Sequence, residues 1–148
     1  MKKICVFTAA RSDYFLLKPL LERIYSDSTL KLFLITGSMH SNKKFGLSYK
    51  LIERDGFKIF YKILGHKKTN LNKNIVDSTG SALICYSKVL SKIKPDFCLV
   101  LGDRYEVLGF SIACHLLRLS LIHIHGGELS FGSFDESNRH AITKLSNL

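Results

Sequence analysis

The stretch Phe97-Cys98-Leu99-Val100-Leu101-Gly102-Asp103-Arg104-Tyr105-Glu106 decides the fold. Residues 97–101 are apolar without a break, the pattern of a strand covered on both faces, and such strands belong to parallel sheets. Gly102 lets the backbone turn at the strand end. A carboxylate and a guanidinium, Asp103 and Arg104, stand at that turn, and the apolar spacing from 106 to 117 predicts a helix.

The same unit extends in both directions along the chain. Residues 3–9 read as a first buried strand. Residues 14–24 read as a helix, with Phe15, Leu16, Leu20, Leu21 and Ile24 at helical spacing and Ser12 or Asp13 as its N-cap. A second strand covers 30–36 and ends at Gly37, a residue suited to a tight turn. A short helix over 47–54 stops at Asp55-Gly56, and a third strand covers 57–64. Residues 65–74 form a polar connection rich in Lys and Asn, expected to be mobile. The longest helix covers 75–93 and stops before Pro95. A fifth strand covers 121–124 and a last helix 136–145. Strands alternating with helices predict an α/β fold, a Rossmann-like parallel sheet with helices on both faces. Such sheets bind ligands at the carboxyl ends of their strands, near the point where strand order reverses. The unusual polar residues fall there: Arg11 and Asp13 after the first strand, Asp103 and Arg104 after the fourth, His125 and Glu128 after the fifth.

A chain of 148 residues, 46% of them apolar, suits one compact domain. At this length roughly 68–70% of the unfolded surface can be buried, enough for a core without staples. No run approaches the roughly 20 apolar residues that span a bilayer. Met1-Lys2-Lys3-Ile4-Cys5 enters the first strand without a signal-peptide cleavage site, so the expected location is cytoplasmic with no membrane partner. Cys5, Cys85, Cys98 and Cys114 are widely spaced without a CxxC pair and read as buried free thiols. The formal charge of +10 is uneven: residues 40–75 hold nine basic and two acidic residues (+7), the rest thirteen and ten (+3). That stretch is either a solvated basic face or an anion-attracting patch. Its aromatics (Phe45, Tyr49, Phe57, Phe60, Tyr61) alternate with aliphatics as core residues do, which favours the solvated face and no nucleic-acid partner.

Three polar clusters can carry chemistry. Asp103 at a sheet rim serves as an acid or base if partly desolvated, or else as a helix cap beside a surface ion pair. His123-Ile124-His125-Gly126-Gly127-Glu128 puts two histidines on one face if the strand stays extended, and its glycines admit a ligand or another backbone. His-x-His with one acid is a weak metal signal, so one core and one site histidine are expected, and no metal. Asp135-Glu136-Ser137-Asn138-Arg139-His140 opens the last helix, where acids favour the macrodipole and a phosphate would need a cation such as Arg139. Neither a GxxxxGK[ST] P-loop nor a GxGxxG after the first strand is present, which argues against dinucleotide binding.

Together these segments resemble one family. Thr8-Ala9-Ala10-Arg11-Ser12-Asp13-Tyr14 resembles the GTRADY opening of the hydrolysing UDP-N-acetylglucosamine 2-epimerases. Thr36-Gly37-Ser38, Phe45-Gly46-Leu47-Ser48-Tyr49 and Asp55-Gly56-Phe57 are similar to its second-strand region. Leu101 to Glu106, His123 to Glu128 and Asp135 to Ser146 resemble its most specific motifs.

The resemblance implies two Rossmann-like domains, as in B-type glycosyltransferases, with the sugar nucleotide in the cleft between them and residues 1–148 as the N-terminal domain. It implies that UDP-N-acetylglucosamine, or a UDP-diacetylbacillosamine-type sugar, loses UDP by elimination. Water then adds to the glycal, releasing an N-acetylmannosamine-type sugar for nonulosonic acid synthesis. No cofactor and no metal are implied, and the full-length protein is expected to be a homo-oligomer. Asp103 and Asp135 are the candidates for proton transfer, and His125 or Glu128 takes the middle catalytic role. The substrate-binding set is Arg11 (facing the diphosphate), Asp13 (ordering the same loop), Arg104, Arg139 and His140. Arg139 and His140 either orient Asp135 or pack their helix. Two departures stand out: Ala9-Ala10 replaces the family's Gly-Thr, and the family continues past Leu148 into a second domain with most of the nucleotide contacts. The chain alone is therefore expected to be inactive, or alternatively a partner-dependent sugar-nucleotide-binding module.

Overall fold

The computed structural model describes residues 1–64 and 71–148, with the backbone alone for 71–73. The elements are β1 (Lys2–Thr8), α1 (Arg11–Ser26), β2 (Leu30–Thr36), α2 (Tyr49–Arg54), β3 (Ile59–Lys62), α3 (Leu71–Ile93), β4 (Phe97–Leu101), α4 (Tyr105–Leu116), β5 (Leu121–Ile124) and α5 (Asp135–Leu145). Two short 3-10 turns, Ser38–Ser41 and Lys43–Phe45, lie between β2 and α2. Residues 65–70 of the expected mobile connection lie outside the described residues, and α3 begins at Leu71, earlier than the spacing predicts. Among the described residues no helix is long and apolar enough to cross a membrane.

All strand pairs are parallel, in the order β3-β2-β1-β4-β5. β1 pairs with β2 along its whole length, from Lys2 opposite Leu30 to Thr8 opposite Thr36. On its other side Cys5 stands opposite Cys98 of β4. The chain thus moves outward one way from β1 and then returns to the other side. The order reverses between β1 and β4, which brings residues 9–13 and 102–106 together at the switch point.

Helices cover both faces, as expected. On one, Phe7 of β1 stacks on Phe110 of α4 at 4.8 Å and meets Tyr86 of α3 edge-on at 5.3 Å. Ring pairs in these arrangements add to the burial of their own area. On the other face Val6, Leu34 and Leu99 meet Tyr14, Leu17, Leu21 and Ile24 of α1. This corrects the expected stripe of α1: Phe15 and Leu16 are exposed, while Tyr14 and Leu17 are buried. Seven apolar or aromatic residues between 14 and 24 cover more than one helix face, so docking on the sheet chooses among them. Of the aromatics in the basic stretch only Phe57 is buried; Phe45, Phe60 and Tyr61 are exposed. Cys5, Cys98 and Cys114 are buried free thiols, and burial pushes the Cys114 thiol up, away from thiolate chemistry.

Gly37 does not serve a left-handed turn, since its φ is −69°. It is small because of what lies beside it: a Cβ would stand 2.9 Å from Ala9 Cα and 3.0 Å from Ala9 O. Backbone atoms cannot swing aside as a side chain can. Gly37→Ala is expected to cost about 2 kcal/mol, in the range of overpacked cores, read as a lower urea midpoint at unchanged slope.

Candidate active site

The β1 end is built around Asp13. Its carboxylate accepts the Ala10 N–H at 3.0 Å and the Ser12 hydroxyl at 3.1 Å. Ala10 is therefore the N-cap residue of α1, and Asp13 secures the helix start from the third helical position instead of capping it. Burial raises its pKa, partly offset by those hydrogen bonds. Asp13 is buried, and its two hydrogen bonds order the loop. Arg11 is exposed with its guanidinium over the Phe15 ring at 5.4 Å.

Arg104 arrives at the same place from β4. It precedes the first turn of α4 and bonds the buried Glu106 carboxylate at 3.3 Å. Burial, offset mainly by Arg104, raises the Glu106 pKa. Ala10, Arg11, Ser12, Met39, Phe45, Ser48 and Arg104 line one cleft of about 250 Å³. An adjoining cleft of about 330 Å³ is lined by Arg11, Ser48, Lys50 and Arg54 among others. Two guanidiniums on one cleft at the switch point favour an anionic ligand such as a phosphate. Part of the basic stretch therefore lines a cleft, while Lys62 is paired with Glu53 at 2.7 Å.

The β5 end overturns one geometric expectation. His123 and His125 do not share a face, because the strand ends at Ile124 and His125 has φ +61°. The left-handed residue turns the chain, leaving His123 8% exposed and the His125 side chain 52% exposed. His125 Nδ1 lies 3.1 Å from Glu128 Oε1, so the two candidates for the middle role form one pair. Both His123 ring nitrogens are occupied, by the Gly102 carbonyl at 2.7 Å and Thr143 Oγ1 at 3.0 Å, so it is no metal ligand. His123 is thus a core histidine, and His125 is exposed. Among the described residues no cluster of three or more His, Cys, Asp or Glu is arranged to hold a metal ion.

The α5 start holds a second correction. Arg139 does not orient Asp135: it forms a tight ion pair with Asp103 across 36 residues of sequence and donates to the Glu128 carbonyl at 3.1 Å. Asp135 accepts instead from Asn138 at 3.4 Å, and His140 lies 3.6 Å from Glu136 on its own helix. The Arg139 Nε–H is buried and has no partner among the described residues. One guanidinium thus draws Asp103, the Glu128 loop and α5 together.

The motifs that spacing kept apart therefore meet at one end of the sheet. The family model described as UDP-N-acetylglucosamine 2-epimerase matches residues 22–148. The chain belongs to this family. It is 38% identical over 147 residues to the GDP/UDP-N,N'-diacetylbacillosamine 2-epimerase (hydrolyzing) of Campylobacter jejuni, covering 99% of this chain and 38% of that protein. It is 34% identical over 148 residues to the polysialic acid biosynthesis protein P7 of Escherichia coli, again covering 38% of it. The chain thus spans about 38% of the length of these relatives. The UDP-GlcNAc 2-epimerase of Neisseria meningitidis, solved bound to UDP-GlcNAc, shares the fold at a TM-score of 0.81 and 21% identity, over 99% of this chain and 39% of that one.

Three residues outside the expected site set shape this end of the sheet. His123 and Thr143 tie its loops. His40, fully buried, lies 3.1 Å from Thr8 Oγ1 and 2.8 Å from Ser48 Oγ, holding the cleft's rim to β1. His123 is the core member of the histidine pair expected to split into one core and one site residue. His40 and Thr143 carry no local signal, because their partners are remote in sequence.

Proposed function

We propose that this chain supplies one wall of the active site of a hydrolysing sugar-nucleotide 2-epimerase, as its N-terminal Rossmann-like half. The observation that carries the reading is the Arg139 clamp, which joins Asp103 to the loop bearing Glu128 and to the helix bearing Asp135. Removing a proton from C2 while the C1–O bond breaks needs several acid and base groups around one ring. In this reading one carboxylate takes the C2 proton as the C1–O electron pair leaves with UDP. Water then adds its oxygen to C1 of the glycal, and a second acid returns a proton to the opposite face of C2. Asp103 and Asp135 are the proposed proton-transfer groups, and the His125–Glu128 pair acts between them as a unit.

Arg11 and Arg104 take the diphosphate, since their cleft lies at the switch point and, among the described residues, carries no carboxylate on its wall. The substrate is UDP-N-acetylglucosamine or a UDP-diacetylbacillosamine-type sugar, and the free sugar released has inverted C2. The reading further makes the complete protein a cytoplasmic homo-oligomer whose second domain supplies the uridine contacts.

The test compares this chain alone with the chain joined to the remaining C-terminal part of the Campylobacter relative. UDP release from each UDP-sugar is measured. The chain alone is expected to show negligible turnover, because an open half-site lacks the positioning and water exclusion that the chemistry needs. The joined protein is expected to release UDP together with the free 2-epimer. Rapid release by the chain alone, or none by a folded joined protein, would overturn the reading.

A further inference from the structure

His123 closes a chain of hydrogen bonds whose directions are fixed by chemistry. Its Nε2 lies 2.7 Å from the Gly102 carbonyl oxygen, which only accepts, so Nε2 carries the proton. In the neutral ring Nδ1 is then an acceptor, and the Thr143 hydroxyl at 3.0 Å donates to it. Thr143 Oγ1 in turn accepts the Gly127 N–H, also at 3.0 Å. The neutral ring suits its surroundings: burial lowers the His123 pKa, with the Gly102 carbonyl opposing and Arg139 adding to it.

Each end of that chain is a neighbour of a reacting group. Gly102 precedes Asp103, Gly127 precedes Glu128, and Thr143 follows Arg139 by one helical turn. Gly126 shows how closely the loop is laid down, because a Cβ there would stand 2.9 Å from His123 Nδ1 and 3.0 Å from Thr143 Oγ1. The Arg139 clamp and the His123–Thr143 pair thus hold the same two loops through separate hydrogen bonds.

We propose that His123 and Thr143 are positioning residues for the reaction, a hydrogen-bonded tie that sets the spacing of Asp103, Glu128 and the α5 groups. The inference rests on the function proposed above. Neither residue touches the substrate; both act by fixing the backbone from which the acid and base side chains project, the support that a first layer of catalytic groups needs.

Thr143→Val removes the hydroxyl at nearly constant shape, and Thr143→Ser keeps it. In this chain, amide exchange at Gly127 is expected to quicken about tenfold or more in the Val variant and to stay near wild type in the Ser variant, since only Val loses the acceptor. In the joined protein, kcat is expected to fall by about 100-fold with KM within about twofold, the cost of a misplacement on the order of 1 Å. The Ser variant restores kcat. Unchanged Gly127 exchange, a wild-type kcat in the Val variant, or a loss that Ser does not rescue would overturn the tie. A folded wild-type joined protein that releases no UDP would instead end the epimerase reading, and Gly127 exchange would still decide the tie.

Discussion

Asp103→Asn in the joined, two-domain protein is expected to lower UDP release by about 10³-fold, within the 10²–10⁴ range of lost acid or base groups. Asparagine keeps the shape and one acceptor for Arg139, so the fold should survive. What it loses is the charge and the ability to carry a proton. Asp103 suits that role by its place: it follows the glycine that ends β4, its side chain is 21% exposed, and Arg139 holds it in position. The readouts are steady-state UDP release and exchange of the C2 hydrogen in D₂O. Both should fall together if Asp103 moves that proton. A variant that keeps more than about a tenth of wild-type kcat would remove Asp103 from the chemistry and leave it a partner of Arg139.

The second large effect is on stability. His40 is fully buried, and burial depresses its pKa to about 4, against about 6.5 for the free side chain. Between those values the unfolded chain takes up a proton that the folded chain refuses. The contribution of neutral His40 is therefore complete above about pH 6.5 and is lost as pH falls toward 4, a difference of about 3 kcal/mol. His123, also lowered mainly by burial, acts with the same sign. Comparing wild type with His40→Gln isolates the first group from the carboxylates that titrate in the same range. At neutral pH the variant should be less stable, because it cannot satisfy both Thr8 and Ser48. As the pH falls toward 4 the gap in urea midpoints should close. A gap that stays constant would mean His40 is protonated without penalty.

Much of the fold could be read from the chain because a strand covered on both faces must be apolar throughout. Residues 97–101 and 121–124 appear in the structure with the expected bounds. The last helix starts one residue earlier than spacing predicts, and the helix after β4 is displaced by one residue at each end. Details that depend on docking were not legible. The buried stripe of α1 shifted to Tyr14 and Leu17, and its cap moved to Ala10, because the exit of the chain from β1 sets where the helix begins. Gly37 could be read as a turn residue, but Ala9, beside it at the end of the neighbouring strand, supplies the reason for its size.

The site divides in the same way. By itself the sequence determined which residue types stand after which strands, and hence that Arg11, Asp103, Arg104, His125 and Glu128 gather at one end of a parallel sheet. That follows from period and polarity, which are local properties. Only the tertiary structure decided their pairings. Arg139 went to Asp103 and the Glu128 carbonyl in place of Asp135, and His123 turned inward to Gly102 and Thr143. Such choices join residues far apart in sequence, and they turn on single backbone angles such as the left-handed φ of His125. A one-residue rotation there changes which nitrogen meets which oxygen, and no local pattern carries that information.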